Sequence, residues 1–440
     1  MELSPGMIPV FRPLKDPAVA TIWSGLAAST IGEDLFRVAV VWIAAEQIGN
    51  AAGYVNATQY AAMLVVGLLG ASAFDRWRAD RAMIGAKYAS AVLAILPVIG
   101  FYIWGVSIPL LIVSVMGLAA MRMVFTPALQ SAVPVLVTDR DAMQAINGLF
   151  DATWRLARLI GPMMAAVLNT LLPVIHFLSI TAVGFVLSGL AVWAVRDRLV
   201  DPTTKPRPGR GGWRGAWDAL LDGARLMLRQ RTMGALLMVN AFANGPWSVA
   251  LQLCIALMVV EHDPHLFGLH GLASLGMIVG ACGVGDVAGN LVAGSVRFRR
   301  PLSTMFLGYV AMGSGFALIA LAAWGIDNPY KLPAMMLAAL IAGVGGPFFF
   351  IPMITRMQTV FHGAEIARVF RLRLAVMAGS MLLFNVAATP LFDLIGPTHT
   401  EFWFGLLLLA LGIAGWIHYR RVEDREAAGA ATSVEQRHVP

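Results

Sequence analysis

Three observations predict an all-α polytopic membrane protein with twelve transmembrane helices. Of the 440 residues, 58% are hydrophobic and only 13% charged, with a mean hydropathy of +0.73; a soluble chain is about 45–50% apolar and about 25% charged. Apolar runs long enough to cross a bilayer, roughly 20 residues each, recur along the whole chain. Lys and Arg gather in alternate connectors, the pattern that orients membrane helices. The net charge of +7 is therefore not a nucleic-acid footprint, because the basic residues share no soluble face.

In order, the twelve runs cover approximately 18–46, 54–74, 82–104, 108–130, 143–169, 174–195, 232–260, 270–295, 302–324, 333–355, 370–394 and 400–419. The polar stretch Met1 to Asp16 has no cleavable signal pattern. Between runs six and seven, Pro-, Lys- and Arg-rich sequence leads to Gly209, Gly211 and Gly212. An amphipathic segment follows, with Trp217, Leu220, Leu221, Ala224 and Leu228 on one face and Arg214, Asp218, Asp222, Arg225 and Arg229 on the other. It reads as a helix lying in the membrane interface. The expected domains are approximately a tail (1–17), a six-helix half (18–196), a linker with the surface helix (197–231), a second six-helix half (232–420) and a tail (421–440).

Orientation follows from the cations. The even-numbered connectors hold Arg76, Arg78, Arg81 and Lys87; Arg140; Arg196, Arg198, Lys205, Arg207, Arg210 and Arg214; Arg297, Arg299 and Arg300; and Arg356, Arg368, Arg371 and Arg373. The tails add Arg12, Lys15, Arg420, Arg421 and Arg425, and the odd-numbered connectors hold only Lys331. Both termini are expected in the cytoplasm, which also requires an even number of spans.

Run one carries the costliest side chains. Glu33, Asp34 and Arg37 lie in an otherwise apolar stretch, where each charge costs about 2.5–3.5 kcal/mol on insertion scales. Arg37 is i,i+4 from Glu33 and i,i+3 from Asp34, so one guanidinium reaches either carboxylate. It does not neutralise both. The remaining acid is left for another helix, for water or for a proton, which makes Glu33 and Asp34 candidate proton-coupling residues.

The connector after run two contains Ala71, Asp75, Arg76, Arg78, Asp80 and Arg81. A small residue that lets helices approach, followed by alternating acid and base, forms a conformational latch; the alternative is charge that only sets orientation. This stretch resembles the signature loop of the major facilitator superfamily, with Ala71 in place of the usual Gly. Thr126 to Pro134, Asn147-Gly148-Leu149 and Arg158 to Pro162 are similar to the branch containing the enterobactin exporter and the macrolide-efflux proteins. So are Gly32-Glu33-Asp34, with one inserted acid, and Gln358, Gly363 and Arg368-Val369-Phe370. The resemblance covers nearly the whole chain. It implies two pseudo-symmetric six-helix halves and alternating access about a midplane site. It also implies proton-coupled efflux of a drug-like or siderophore-like molecule from a bacterial cytoplasm across the inner membrane. Gly161-Pro162 resembles part of an antiporter motif on helix five. Pro there kinks the helix and Gly admits a neighbour, although Ala165-Ala166 replace the family's Gly-Gly.

The other intramembrane charges are few. Run four holds Arg122; run five holds Asp151, Arg155 and Arg158 on one face; run eight holds Asp286, a further proton-coupling candidate, with Asn290 one turn on. Three acids against four arginines in the first half leave one positive charge if all are ionised. That suits a cavity for an anionic or zwitterionic ligand, in which a proton taken up by Asp34 or Glu33 releases the ligand. Static pairs, Asp151 with Arg155 and Asp34 with Arg37, are the alternative. Asn240, Asn244, Gln252, Asn385, Thr389 and Gln59 serve either ligand contact or helix–helix hydrogen bonding.

Cys254 and Cys282 lie in separate apolar runs, so no disulfide and no zinc site is inferred. Glu261, His262, Asp263, His265 and His270 are spaced irregularly for a metal. No cofactor is expected. No intramembrane Ser or Cys has a His at helical spacing, so an enzyme is not predicted; a channel or receptor is a further alternative. The expected partners are a small-molecule substrate, protons and the lipid bilayer, with the chain a monomer. Transport of a lysophospholipid or another anionic metabolite without proton coupling is the alternative within the same fold.

Overall fold

The computed structural model describes residues 13–74, 78–137, 140–199, 213–295, 300–361 and 364–436. Arg12, Asp75, Arg76, Lys205, Arg207, Gly209, Arg210, Gly211, Gly212, Arg297, Arg299 and Gly363 fall outside the described residues, as do the side chains of Ala71, Ser131, Pro134, Arg140, Asp151, Arg214 and Gln358. Each apolar run is helical. The first six are α1 (Pro17–Ile48), α2 (Ala52–Phe74), α3 (Ala79–Trp104), α4 (Ile108–Leu136), α5 (Arg140–Leu168) and α6 (Ile175–Ala194). The linker segment is α7 (Trp213–Arg229). One continuous span follows, made of α8 (Arg231–Val249), a π-helical segment Ala250–Cys254 and α9 (Ile255–His262). The last five are α10 (Leu272–Ser295), α11 (Pro301–Gly325), α12 (Lys331–Val360), α13 (Ala364–Ile395) and α14 (Pro397–Gln436). Among the described residues nine helices are long and apolar enough to cross a membrane. Helices α1, α2 and α5 are not among them; α1 and α5 hold the charged residues of the site described below.

Local chemistry sets the ends. The Asp16 carboxylate accepts the Ala18 N–H at 2.8 Å, and Pro17 takes the first helical position, where its missing N–H costs nothing. Gly49 ends α1 at φ +52 and Gly396 ends α13 at φ +82, conformations that favour glycine. Arg198 donates to both Asp16 oxygens, at 2.8 and 2.9 Å. Those hydrogen bonds hold the Asp16 carboxyl below its ordinary value.

The chain divides into two compact units: Met1–Gly245 with Ala367–Thr389, and Pro246–Ile366 with Pro390–Pro440. Two of the boundaries fall at prolines inside helices, Pro246 in α8 and Pro390 in α13. Proline removes a helical hydrogen bond and kinks the chain. The carbonyl that Pro246 leaves without its usual donor, that of Phe242, accepts the Ser380 hydroxyl at 3.4 Å.

In the first unit α1 packs on α6, α5 and α2, α3 packs on α6 and α4, and α2 packs on α4. Helix α7 lies against α2, and its Gly223 sits on the Arg368 carbonyl, where a Cβ would stand at 2.8 Å. It buries Met227 and leaves Trp217, Leu221 and Leu228 exposed, an apolar face available to the membrane interface. In the second unit α11 packs on α14 and α12, and α10 on α12. Glu423 caps α11: its oxygens accept the Leu302 N–H at 2.8 Å and the Ser303 hydroxyl at 2.6 Å.

Candidate functional site

Helix α1 carries its acids to the wall of a cavity of about 320 Å³ inside the first unit. Two close approaches fix the helix there. The Thr181 hydroxyl of α6 donates to the Gly32 carbonyl at 2.7 Å. Helix α5 crosses at Gly161, where a Cβ would lie 2.5 Å from the Asp34 Cβ. The Gly-Pro step thus places α5 against the acid, with Pro162 next along the helix.

Each carboxylate has its own cation. Asp34, 4% exposed, pairs with Arg37 one turn on. Glu33 faces Lys87, whose Nζ is 3.5 Å from Oε1. Lys87 also donates to Ser29 Oγ at 3.0 Å and stands 3.9 Å above the Phe125 ring. This corrects one expectation: Lys87 is not a connector cation, since it lies inside α3 and is 3% exposed. For the acid that Arg37 leaves over, a cation from another helix, one of the three alternatives open from sequence, is the one the structure holds. The physical reason is cost, since a buried charge persists when it is paired and hydrogen-bonded.

Arg122 of α4 and Arg158 of α5 line the same cavity. The described charged side chains lining the cavity are therefore Glu33 and Asp34 against Arg37, Arg122 and Arg158, one positive charge in excess, with Lys87 adding a further cation against Glu33. Beside them is an amide wall. Asn56 donates to Asn385 Oδ1 at 2.7 Å and accepts from Gln59, while Asn385 donates to the Met381 carbonyl at 2.8 Å. Asn56 and Gln59 line the cavity with Met63 and Trp154. The site offers fixed charges of both signs, amide donors and acceptors, and apolar surface, the composition of a small-molecule pocket.

Of the predicted residues, Glu33, Asp34, Arg37, Arg122 and Arg158 come together here, and Asn385 braces the wall from behind. Arg155, Asn240 and Asn244 lie elsewhere in the first unit, Asn244 donating to the Asn240 carbonyl at 2.6 Å. Gln252, Asp286 and Asn290 belong to the second unit, where Asn290 Nδ2 reaches the Asp286 carbonyl at 2.8 Å and Oδ2 at 3.3 Å. In the latch, Arg78 pairs with Asp80 through Nε at 3.2 Å and Nη2 at 3.3 Å, and Arg81 follows in the first turn of α3. Sequence reasoning missed Lys87 and Asn56. The signal for Lys87 was present: it lies within the third apolar run, where a cation at depth needs a partner.

No protein-family model matches the chain. It is 23% identical to macrolide efflux protein A of Streptococcus pyogenes over 409 residues, 89% of this chain and 94% of that protein. It is also 23% identical to the multidrug efflux pump Tap of Mycobacterium tuberculosis over 343 residues, 76% of this chain and 77% of that protein. Among solved structures, the peptide transporter POT in complex with sulfate superposes with a TM-score of 0.72 at 14% identity, covering 92% of this chain and 95% of that one. A POT family transporter in complex with 5-aminolevulinic acid gives 0.67 at 13% identity, over 92% and 96%. The chain has the major facilitator fold of an integral membrane protein, and its sequence resembles efflux pumps along most of its length.

Proposed function

We propose that this protein is a secondary active transporter, a proton-coupled exporter of a small drug-like or siderophore-like molecule in a bacterial inner membrane. It works as a monomer by alternating access between its two six-helix halves, with both termini cytoplasmic. One observation carries the reading: a cavity in which two intramembrane acids, each held by one cation, face the space a ligand would fill. The similarity to efflux pumps supports export as the direction.

Charge balance gives the mechanism. A cationic or donor group on a ligand competes with a proton for Asp34 or Glu33. Proton entry from outside then expels the ligand, and ligand entry from inside expels the proton. An anionic group behaves oppositely. It binds the cation that is freed when the acid is protonated, so it travels with the proton. The positive excess supports a further reading, in which a lysophospholipid or another anionic metabolite is held by the cations alone and moves without proton coupling.

A thermal-shift screen of candidate ligands on the purified chain at two pH values separates these. Stronger stabilisation by the ligand at the higher pH is expected for the exporter. Stronger stabilisation at the lower pH selects an anionic group that travels with the proton, and no pH dependence selects the anionic metabolite moved without proton coupling.

A further inference from the structure

The second unit holds a carboxyl group unlike either acid of the cavity. Glu401 lies in the first turns of α14 at 0% exposure, and among the described residues neither carboxyl oxygen meets an N–H or O–H donor, the Cys254 thiol being the hydrogen-bonding group beside it. The groups facing it are the Cys254 thiol, presented by the π-helical segment, and the Cys282 thiol of α10, with Asp286 one turn further along that helix. Glu261 and His262 of α9 stand at the start of α14, and Lys331 of α12 acts on His262. On α14 itself His399 packs on the Trp324 ring of α11. An ionised carboxylate at Glu401 would forgo hydration without a counter-charge, at a cost of several kcal/mol. A bound proton removes that cost.

A hydrogen-bonded cluster one helical turn from this acid reaches solvent. Thr398, 2% exposed, precedes Glu401 by three residues and so shares its helix face. Its Oγ1 is 2.9 Å from His262 Nε2 and 3.4 Å from Glu261 Oε2. The Glu261 side chain is 52% exposed and that of His262 19%. A hydroxyl both donates and accepts, so Thr398 can hand a proton from the solvent-reached imidazole along the helix face it shares with the buried acid. The π-helical turn on the other side is a rare conformation that recurs at functional positions.

We propose that Glu401 is a second proton-binding site, loaded through His262 and Thr398 from the side of the membrane where α9 ends and α14 begins. In the transfer, the His262 imidazolium becomes neutral as the Glu401 carboxylate becomes the acid. The Thr398 hydroxyl takes one proton from Nε2 and passes its own on, so charge and protons balance. The site requires no ligand in the first-unit cavity and stands apart from the exporter reading.

Infrared spectroscopy of the purified full chain in lipid vesicles tests it without substrate. The carbonyl band of a protonated carboxylic acid is expected at neutral pH, lost in Glu401→Gln and retained in Asp34→Asn and Glu33→Gln. Glu401→Asp shifts the band rather than abolishing it, which covers a failure of the amide variant to fold. On transfer to D2O, exchange at that band is expected to slow in His262→Ala and in Thr398→Val. A band unchanged in both Glu401 variants overturns the site. Exchange at the wild-type rate in both His262→Ala and Thr398→Val overturns the route.

Discussion

Glu33 and Asp34 in the first unit and Glu401 in the second are all carboxyl groups carried inside long helices, kept by opposite means. The first two face a cavity and each has a basic partner, Lys87 and Arg37. The third is sealed among apolar helices and thiols, with no basic partner and no N–H or O–H donor among the described residues. The paired acids pay for their burial by Coulomb attraction and remain able to exchange partners. The sealed acid avoids the charge altogether. An acid in a membrane helix therefore has a role that depends on what neighbouring helices bring to it.

The sharpest way to break this contrast is to remove one partner from the first unit. Lys87→Met leaves Glu33 without its cation and is expected to cost about 3 kcal/mol. Thermal unfolding in detergent reads the loss, and adding Glu33→Gln to the same chain is expected to restore most of it. An equal loss in the double variant would mean that Lys87 acts through packing instead.

Next is the contact that seats the acid. Gly161→Val forces α5 away from the Asp34 Cβ and is expected to cost about 2 kcal/mol by overpacking. Unfolding at the wild-type temperature would show that α1 and α5 separate without cost.

The same isosteric change made in both regions gives a smaller, more discriminating effect. Asp34→Asn leaves Arg37 without its carboxylate and is expected to cost about 1–2 kcal/mol. Glu401→Gln breaks no ion pair and is expected to cost under about 1 kcal/mol. A reversed order in the two unfolding temperatures would contradict the assignment of charged and neutral acids.

The smallest effect lies outside the membrane. Asp16→Asn keeps a helix cap but loses the charge that Arg198 holds, at a cost of about 0.5 kcal/mol. The folded carboxyl titrates below its ordinary 3.8, so the stability it adds is complete above that pH. That stability is lost as the pH falls through the lower folded value. The difference between variant and wild type is expected to hold at neutral pH and to vanish in strong acid, in paired melts across that range.

Much of the fold was legible. The apolar runs match the helices to within about six residues except at the last, where α14 runs on to Gln436 through the expected tail, and Gly161 of the Gly-Pro step is where α5 meets the acid. The cavity's acids were legible because Glu33 and Asp34 stand out against an oily stretch. Their partners were less so. Lys87 sits near an end of α3, where positive-inside reasoning explains a Lys equally well, and only the approach of α3 to α1 distinguishes the two. Glu401 begins the last apolar run and looks like a terminal charge in water; its burial depends on α9 and α11 closing over it. Asn56 was hidden because a single amide in a helix takes its meaning from a partner hundreds of residues away.

The central claim is that an acid of the first-unit cavity exchanges a proton against the ligand. The direct measurement adds a ligand found in the thermal-shift screen to the purified protein in weakly buffered medium and follows proton release with a pH indicator. Proton release is expected from the wild type, with a clear reduction in Asp34→Asn or Glu33→Gln. Undiminished release in both variants, or proton uptake in place of release, would contradict it.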